Sequence, residues 1–269
     1  QSDAMKIDGF EGTVATIERD LLLTASGMML IIIGPVILLT LYFAWRYRAS
    51  NTKATYSPDW EKSPLLEIFI WGIPVVMILI LGSVLWKSTH RLDPYKPIPS
   101  ELAATRIQAV AYDWKWLFIY PDLGIATVDE MAFPKDRPIE FQITSEVGLN
   151  SFMIPKLGGQ IYAMAGMETK LNLWAQDAGT FQGRNMQYSG DGFSEQTFEV
   201  HAMNTEDFQN WLGKVQAAPK GFTDASRTEL LKPSTSGPVI YFNSVQPEIF
   251  QTILNSYTGC RGDKDGICQ

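Results

Sequence analysis

L-L-L-T-A-S-G-M-M-L-I-I-I-G-P-V-I-L-L-T-L-Y-F-A-W, residues 21–45, runs for 25 positions without a charged side chain. As an α-helix at about 1.5 Å per residue it would outreach the ~30 Å hydrocarbon core of a bilayer. A second uncharged run of 19 residues extends from Ile68 to Trp86. The alternative is a pair of buried core helices, but uncharged runs this long are rare in soluble domains. Both are read as transmembrane helices. Pro35 and Pro74 fall inside them, a placement tolerated where neighbouring helices or water satisfy the freed carbonyls. Two such helices are expected to pack against other membrane subunits.

The charges flanking these runs predict an orientation. The connection over residues 46–64 carries Arg46, Arg48, Lys53 and Lys62 against Asp59 and Glu61, whereas residues 1–20 carry Lys6 and Arg19 among five acidic side chains. Positive residues favour the inner side, so the loop is expected inside and both termini outside. Tyr42, Trp45 and Tyr47 near one boundary and Trp86 near another suit interfacial anchors. A chain starting at Gln1 fits a removed leader that delivered the N-terminus outward.

The organisation expected is an N-terminal segment 1–20, a helix hairpin 21–87, a β-domain 100–204 and a helical extension and tail 205–269. From residue 88 onward there are 15 Lys and Arg against 21 Asp and Glu, a net −6. That balance argues against nucleic acid and against an anionic lipid surface as partners of this region. Ile139, Phe141 and Ile143 alternate with polar residues, as do Leu171 with Leu173 and Phe198 with Val200, the period-two pattern of half-buried strands. An aromatic run, Y-D-W-K-W-L-F-I-Y at 112–120, follows Ile107–Ala111. Gly and Pro clusters separate the segments, which indicates a sandwich or barrel. Thr205 is placed to cap a helix through Val215 with Phe208, Trp211, Leu212 and Val215 on one face, and a second tail helix is expected over 247–257.

Two cysteines, Cys260 and Cys268, close the chain as C-R-G-D-K-D-G-I-C, spaced for a local disulfide in an oxidising compartment. The chain has two histidines, His90 and His201. Neither shows in sequence the partners that a zinc, copper or general-base site needs, so no metal site is expected.

The stretch G-R-N-M-Q-Y-S-G-D-G-F-S-E-Q at 183–196 carries Gly183, Gly190 and Gly192 and offers no thiolate or imidazole. Further marked stretches are F-A-W-R-Y-R-A-S-N at 43–51, Y-S-P-D-W at 56–60, W-K-S-T-H at 86–90, D-W-K-W-L-F-I-Y-P at 113–121 and N-S-F-M-I-P-K-L-G-G-Q-I-Y-A-M-A-G-M at 150–167. On these motifs the chain resembles subunit II of the haem–copper respiratory oxidases, in the quinol-oxidising branch related to cytochrome bo. The resemblance spans some 240 residues and implies a two-helix transmembrane hairpin followed by an all-β cupredoxin-like barrel or sandwich with a short helical C-terminal extension.

It also implies a division of labour. Copper-bearing relatives hold a dinuclear centre with C-x₃-C-x₃-H-x₂-M and an earlier histidine. Here Asn185, Ser189, Phe193 and Gln196 occupy the loop positions, Asn150 the earlier one, and Gln187 the position that supplies a backbone carbonyl. Amide and hydroxyl oxygens are poor copper ligands and phenylalanine is none. The resemblance therefore implies no cofactor and no catalytic residue in this chain. Haems, copper and ubiquinol belong with a large catalytic subunit I, accompanied by smaller subunits III and IV and membrane lipid, without cytochrome c docking. The expected location is the bacterial inner membrane with the large domain periplasmic. Glu67 matches a glutamate at the mouth of the K proton pathway, where a helix N-terminus favours a carboxylate. Trp114 and Trp116 lie in the run that carries electrons in copper-bearing relatives, and here a packing or interface role against subunit I is expected. The leading function is a redox-inactive accessory subunit of a proton-pumping quinol oxidase. The alternatives are an electron-transfer subunit accepting electrons from cytochrome c and a membrane-anchored binding module independent of any oxidase.

Overall fold

The computed structural model describes residues 13–55, 60, 62–135, 137–235 and 237–257, and the described residues divide into two compact units, one within 17–93 and the other within 94–257 together with 13–16. The first unit consists of two helices, α1 (Thr13–Arg46, its first turn counted with the other unit) and α2 (Pro64–Arg91). Their 34 and 28 residues exceed the uncharged runs, because charged turns extend each helix past its apolar segment. Leu, Ile, Val and Trp side chains along both stand exposed. Three hydroxyls inside them bond back to the helix: Thr24 Oγ1 donates to Asp20 O at 2.8 Å, Thr40 Oγ1 to Val36 O at 2.7 Å and Ser83 Oγ to Leu79 O at 2.8 Å. Back-bonding of this kind removes a polar group that hydrocarbon would penalise.

The second unit is built from β1 (Thr105–Tyr112), β2 (Lys115–Tyr120), β3 (Ile125–Val128), β4 (Glu130–Pro134), β5 (Ile139–Ser145), β6 (Asn150–Ile154), β7 (Gly158–Ala163), β8 (Thr169–Leu173), β9 (Gly179–Asn185) and β10 (Thr197–Met203). These are followed by α3 (Thr205–Gln216), α4 (Asp224–Leu230), β11 (Ile240–Phe242) and α5 (Ile249–Ser256). One sheet has the order β11-β3-β2-β1-β5-β8 and the other β4-β10-β9-β6-β7. Two pairings are parallel, β1 with β5 and β10 with β4. Trp116, Phe118, Phe141, Phe152 and Phe198 fill the space between the sheets, with Phe152 and Phe198 stacked at 5.2 Å.

The first sheet is covered on its other face as well. Val110, Tyr112, Leu117 and Ile119 pack there against Phe222, Leu230, Phe242, Phe250 and Ile253 of the extension. This explains why 115–120 lacks alternation: all six residues are buried, since both faces of the strand are dry. The extension is thus more than helical, because β11 pairs with β3 and lengthens the sheet. The aromatic run also breaks into two strands at Asp113–Trp114, where Trp114 takes φ 59.

Helix α3 carries its expected apolar face, with Phe208, Trp211, Leu212 and Val215 buried. Its N-cap is Asn204 rather than Thr205, and α4, capped by Thr223, was not apparent from periodicity. Gly183 lies within β9, opposite Phe198 of β10. A Cβ there would meet the Phe198 ring at 2.0 Å. Gly183→Ala is expected to cost about 1–3 kcal/mol through core displacement. Thermal unfolding of the detergent-solubilised chain checks this, and an unchanged midpoint would mean that Phe198 repacks freely.

Candidate functional site

At one end of the β-domain, the start of β6, the end of β9 and the loop 186–196 converge. Four of the six positions singled out in the loop reading are joined there through side chains. Asn185 is the hub. Its Nδ2 donates to Asn150 Oδ1 at 2.8 Å and to Gln196 Oε1 at 2.8 Å, with Ser189 Oγ at 3.1 Å. Its Oδ1 accepts from the backbone N–H of Ser151 at 2.8 Å and of Gln187 at 2.9 Å. Ser189 Oγ also donates to Gln196 Oε1 at 3.3 Å, Gln196 Nε2 to Tyr112 O at 3.3 Å, and Asn150 Nδ2 to Ser145 Oγ at 3.3 Å. Asn150, Asn185 and Gln196 are 1%, 3% and 1% exposed.

Gln187 joins through its backbone, and Phe193 stands in a short 3₁₀ turn with its ring 5.7 Å from Tyr188. The loop is held from outside by Trp114, whose Nε1 donates to Ser189 O at 3.1 Å. Gly192 lies so close beneath that indole that a Cβ would fall 2.3 Å from it. That contact secures Trp114 in its left-handed conformation, which non-glycine residues seldom adopt.

The donor set does not fit copper. It consists of amide and hydroxyl groups already bonded to one another and to the backbone, and a soft metal needs thiolate or imidazole.

Trp116 is a correction to the interface reading. It is fully buried between the sheets, 5.3 Å from the Phe152 ring and 5.7 Å from Phe198, so its role is core packing. Glu67 lies exposed in the first turn of α2. The His90 ring lies 4.5 Å from that of Trp86, tilted at 40°, with Nδ1 2.8 Å from Trp86 O. Cys260 and Cys268 lie outside the described residues.

His201 has partners that the sequence did not reveal. Its Nε2 faces Glu130 Oε2 at 3.8 Å and Glu199 Oε2 at 3.4 Å, and Nδ1 is 3.1 Å from Thr180 Oγ1. Glu130 reaches it from β4, a parallel neighbour some seventy residues back, and separations in sequence give no hint of that pairing. The Glu130 carboxylate raises the His201 pKa above its ordinary 6.5, against the lowering by burial. Burial would raise Glu130, yet its contacts with His201, Trp211 and Tyr241 prevail and hold it down at about 2. A raised folded-state histidine contributes stability that is complete below 6.5 and lost as pH rises through the raised value. The stability gap between the wild type and His201→Gln is therefore expected to be larger near about pH 5.5 than near about pH 9. Denaturant unfolding at both values checks it; a gap independent of pH would remove the ion pair from the account.

A second unforeseen pairing is Glu146 with Arg227 of α4, where the guanidinium donates to a carboxylate only 3% exposed. The Tyr257 hydroxyl donates to the backbone carbonyl of the same Glu146. The extension is thereby tied next to Ser145, the residue that meets Asn150.

A family model described as COX Aromatic Rich Motif matches residues 216–259, the stretch that contributes Phe222, Tyr241, Phe242 and Tyr257 to these contacts. The cytochrome bo(3) ubiquinol oxidase subunit 2 of Pseudomonas aeruginosa is 53% identical over 256 residues, 95% of this chain and 77% of that protein. Ubiquinol oxidase subunit 2 of Acetobacter aceti is 45% identical over 250 residues, 92% of this chain and 81% of that protein. The solved periplasmic domain of subunit II of cytochrome oxidase from Bradyrhizobium japonicum is 21% identical, covers 49% of this chain and 99% of that chain, and has a TM-score of 0.40, too distant to weigh in the assignment. Identity at the level of the first two, over nearly the whole length, favours the quinol-oxidising branch over the cytochrome c alternative, and the chain belongs to the subunit 2 family of ubiquinol oxidases.

Proposed function

We propose that this chain is the redox-silent subunit of a membrane ubiquinol oxidase that couples quinol oxidation to reduction of oxygen to water. The observation that carries this reading is the amide network centred on Asn185, which uses the frame of a copper loop to hold strands together rather than to bind a metal. Electrons then enter from ubiquinol in the catalytic subunit, which holds the haems and copper, and this chain supplies stabilising contacts to it. The two apolar helices would anchor the chain in the inner membrane beside that subunit and the smaller ones, with loop 46–64 inside and the β-domain outside.

The test is metal analysis and visible to near-infrared absorption of the purified full chain after equilibration with copper. No bound copper and no thiolate-to-metal bands are expected. Stoichiometric copper at residues 183–196 would reopen the electron-transfer reading.

Glu67 is proposed to assist proton uptake, since an exposed carboxylate in the first turn of α2 is favoured by the helix dipole and remains in contact with water. Glu67→Gln in the assembled oxidase is expected to slow turnover several-fold while subunit composition is retained. Unchanged turnover would reduce Glu67 to a boundary residue.

A further inference from the structure

On the side of β10 opposite to buried Phe198, Val200 and Ala202, three metal-ligating side chains converge. The parallel register places Glu130 directly across from Glu199, and His201 lies two residues further along the same face. Like charges directly opposed across a sheet repel unless a cation lies between them. One ligand atom from each of the three residues lies within 4.8 Å of the others.

Distances separate two explanations. His201 Nε2 is 3.4 Å from Glu199 Oε2 and 3.8 Å from Glu130 Oε2. Good N–H···O bonds span about 2.7–3.2 Å, so both separations are long for hydrogen bonds. Tetrahedral zinc with bonds of about 2.0–2.1 Å places neighbouring donors roughly 3.3–3.4 Å apart, which the shorter separation meets and the longer one approaches.

The surrounding contacts aim the donors. Trp211 Nε1 and Tyr241 Oη both donate to Glu130 Oε1 at 2.7 Å, leaving Oε2 turned toward the imidazole. Thr180, opposite His201 on β9, holds Nδ1 and fixes the ring. Partners of this kind orient metal ligands and raise their affinity. Glu199, with its side chain 64% exposed, leaves the site open to an incoming ion and to a water as fourth ligand.

We infer that Glu130, Glu199 and His201 form a binding site for a divalent cation of the zinc class, which one imidazole and two carboxylates suit better than they suit Cu(I) or Mg²⁺. The site is separate from the amide network and runs against the expectation, from sequence, that His201 belongs to no metal site. Binding competes with a proton on His201. The other groups facing it are Glu130 of β4, Glu199 of β10 and the phenol of Tyr241 of β11, which burial keeps neutral, while Trp211 of α3 and Thr180 of β9 bring no charge.

The test is equilibrium dialysis of the full detergent-solubilised chain against Zn²⁺, with Cys260→Ser and Cys268→Ser introduced so that tail thiols take no metal. One Zn²⁺ per chain is expected near about pH 7.5, bound at least tenfold more weakly near about pH 5.5. Glu199→Gln and His201→Gln are each expected to weaken it at least tenfold, and Thr180→Val about tenfold. Glu199 is exposed, so its variant keeps the fold and carries the test even if the His201 variant does not. Absence of binding at neutral pH, or binding indifferent to both Glu199→Gln and His201→Gln, overturns the site and leaves His201 as a protonated clamp between two carboxylates.

Discussion

Asn185→Leu lowers the stability of the β-domain by about 3–5 kcal/mol, the largest effect expected of any single change in the loop. Leucine has nearly the same shape, so little volume is lost and the penalty is polar. Removal of the amide leaves Asn150 Oδ1 and the N–H groups of Ser151 and Gln187 without their partner and Gln196 Oε1 with Ser189 alone, in a region almost closed to solvent. A buried group so orphaned costs about 1–3 kcal/mol, reduced where neighbours rearrange. Denaturant unfolding of the full chain, followed by tryptophan fluorescence, measures it. A loss below about 1 kcal/mol would show that the network is ornamental and that the loop is held by Trp114 and the glycines.

Arg227→Ala is expected to cost about 3–5 kcal/mol, because it strands the Glu146 carboxylate in the interior. Glu146 is 3% exposed, and its carboxylate accepts from Arg227 through two guanidinium nitrogens. The double change Glu146→Gln with Arg227→Met should recover much of the loss, since no charge is then left uncompensated. If the double variant is as unstable as the single one, the damage comes from lost packing by α4 and not from electrostatics. Hydrogen exchange adds a spatial readout: in Arg227→Ala, protection is expected to fall in α4 and around 145–151 together.

The elements that were legible in the sequence share one property: a single local pattern decides them. The membrane runs are recognised by length without charge, and β5, β8 and β10 by alternation, because in each the polar side chains turn away from the core and are on the whole less buried than the apolar ones. Helix α3 shows its stripe because only one side meets the core. What stayed hidden depends on distant residues. Strand β11 has three residues and no period of its own, and it forms because β3 presents an edge. The turn at Asp113–Trp114 carries no glycine; it exists because Ser189 and Gly192 hold the indole from across the domain. In the site, the resemblance to copper-bearing relatives grouped Asn150, Asn185, Ser189 and Gln196 by their positions. It could not anticipate Glu130 beside His201, because parallel pairing joins strands that the chain separates widely.

The sealing of the first sheet by residues 222–253 bears on how the protein is made. During synthesis β2 and β3 emerge more than a hundred residues before β11, so for that interval the sheet has an open edge and a bare apolar face. Such surfaces are where nascent chains stick to one another. The β-domain therefore reaches its finished state only when the last helices leave the ribosome, and a stop codon shortly before β11 would yield a sticky, degradation-prone product rather than a trimmed but serviceable one.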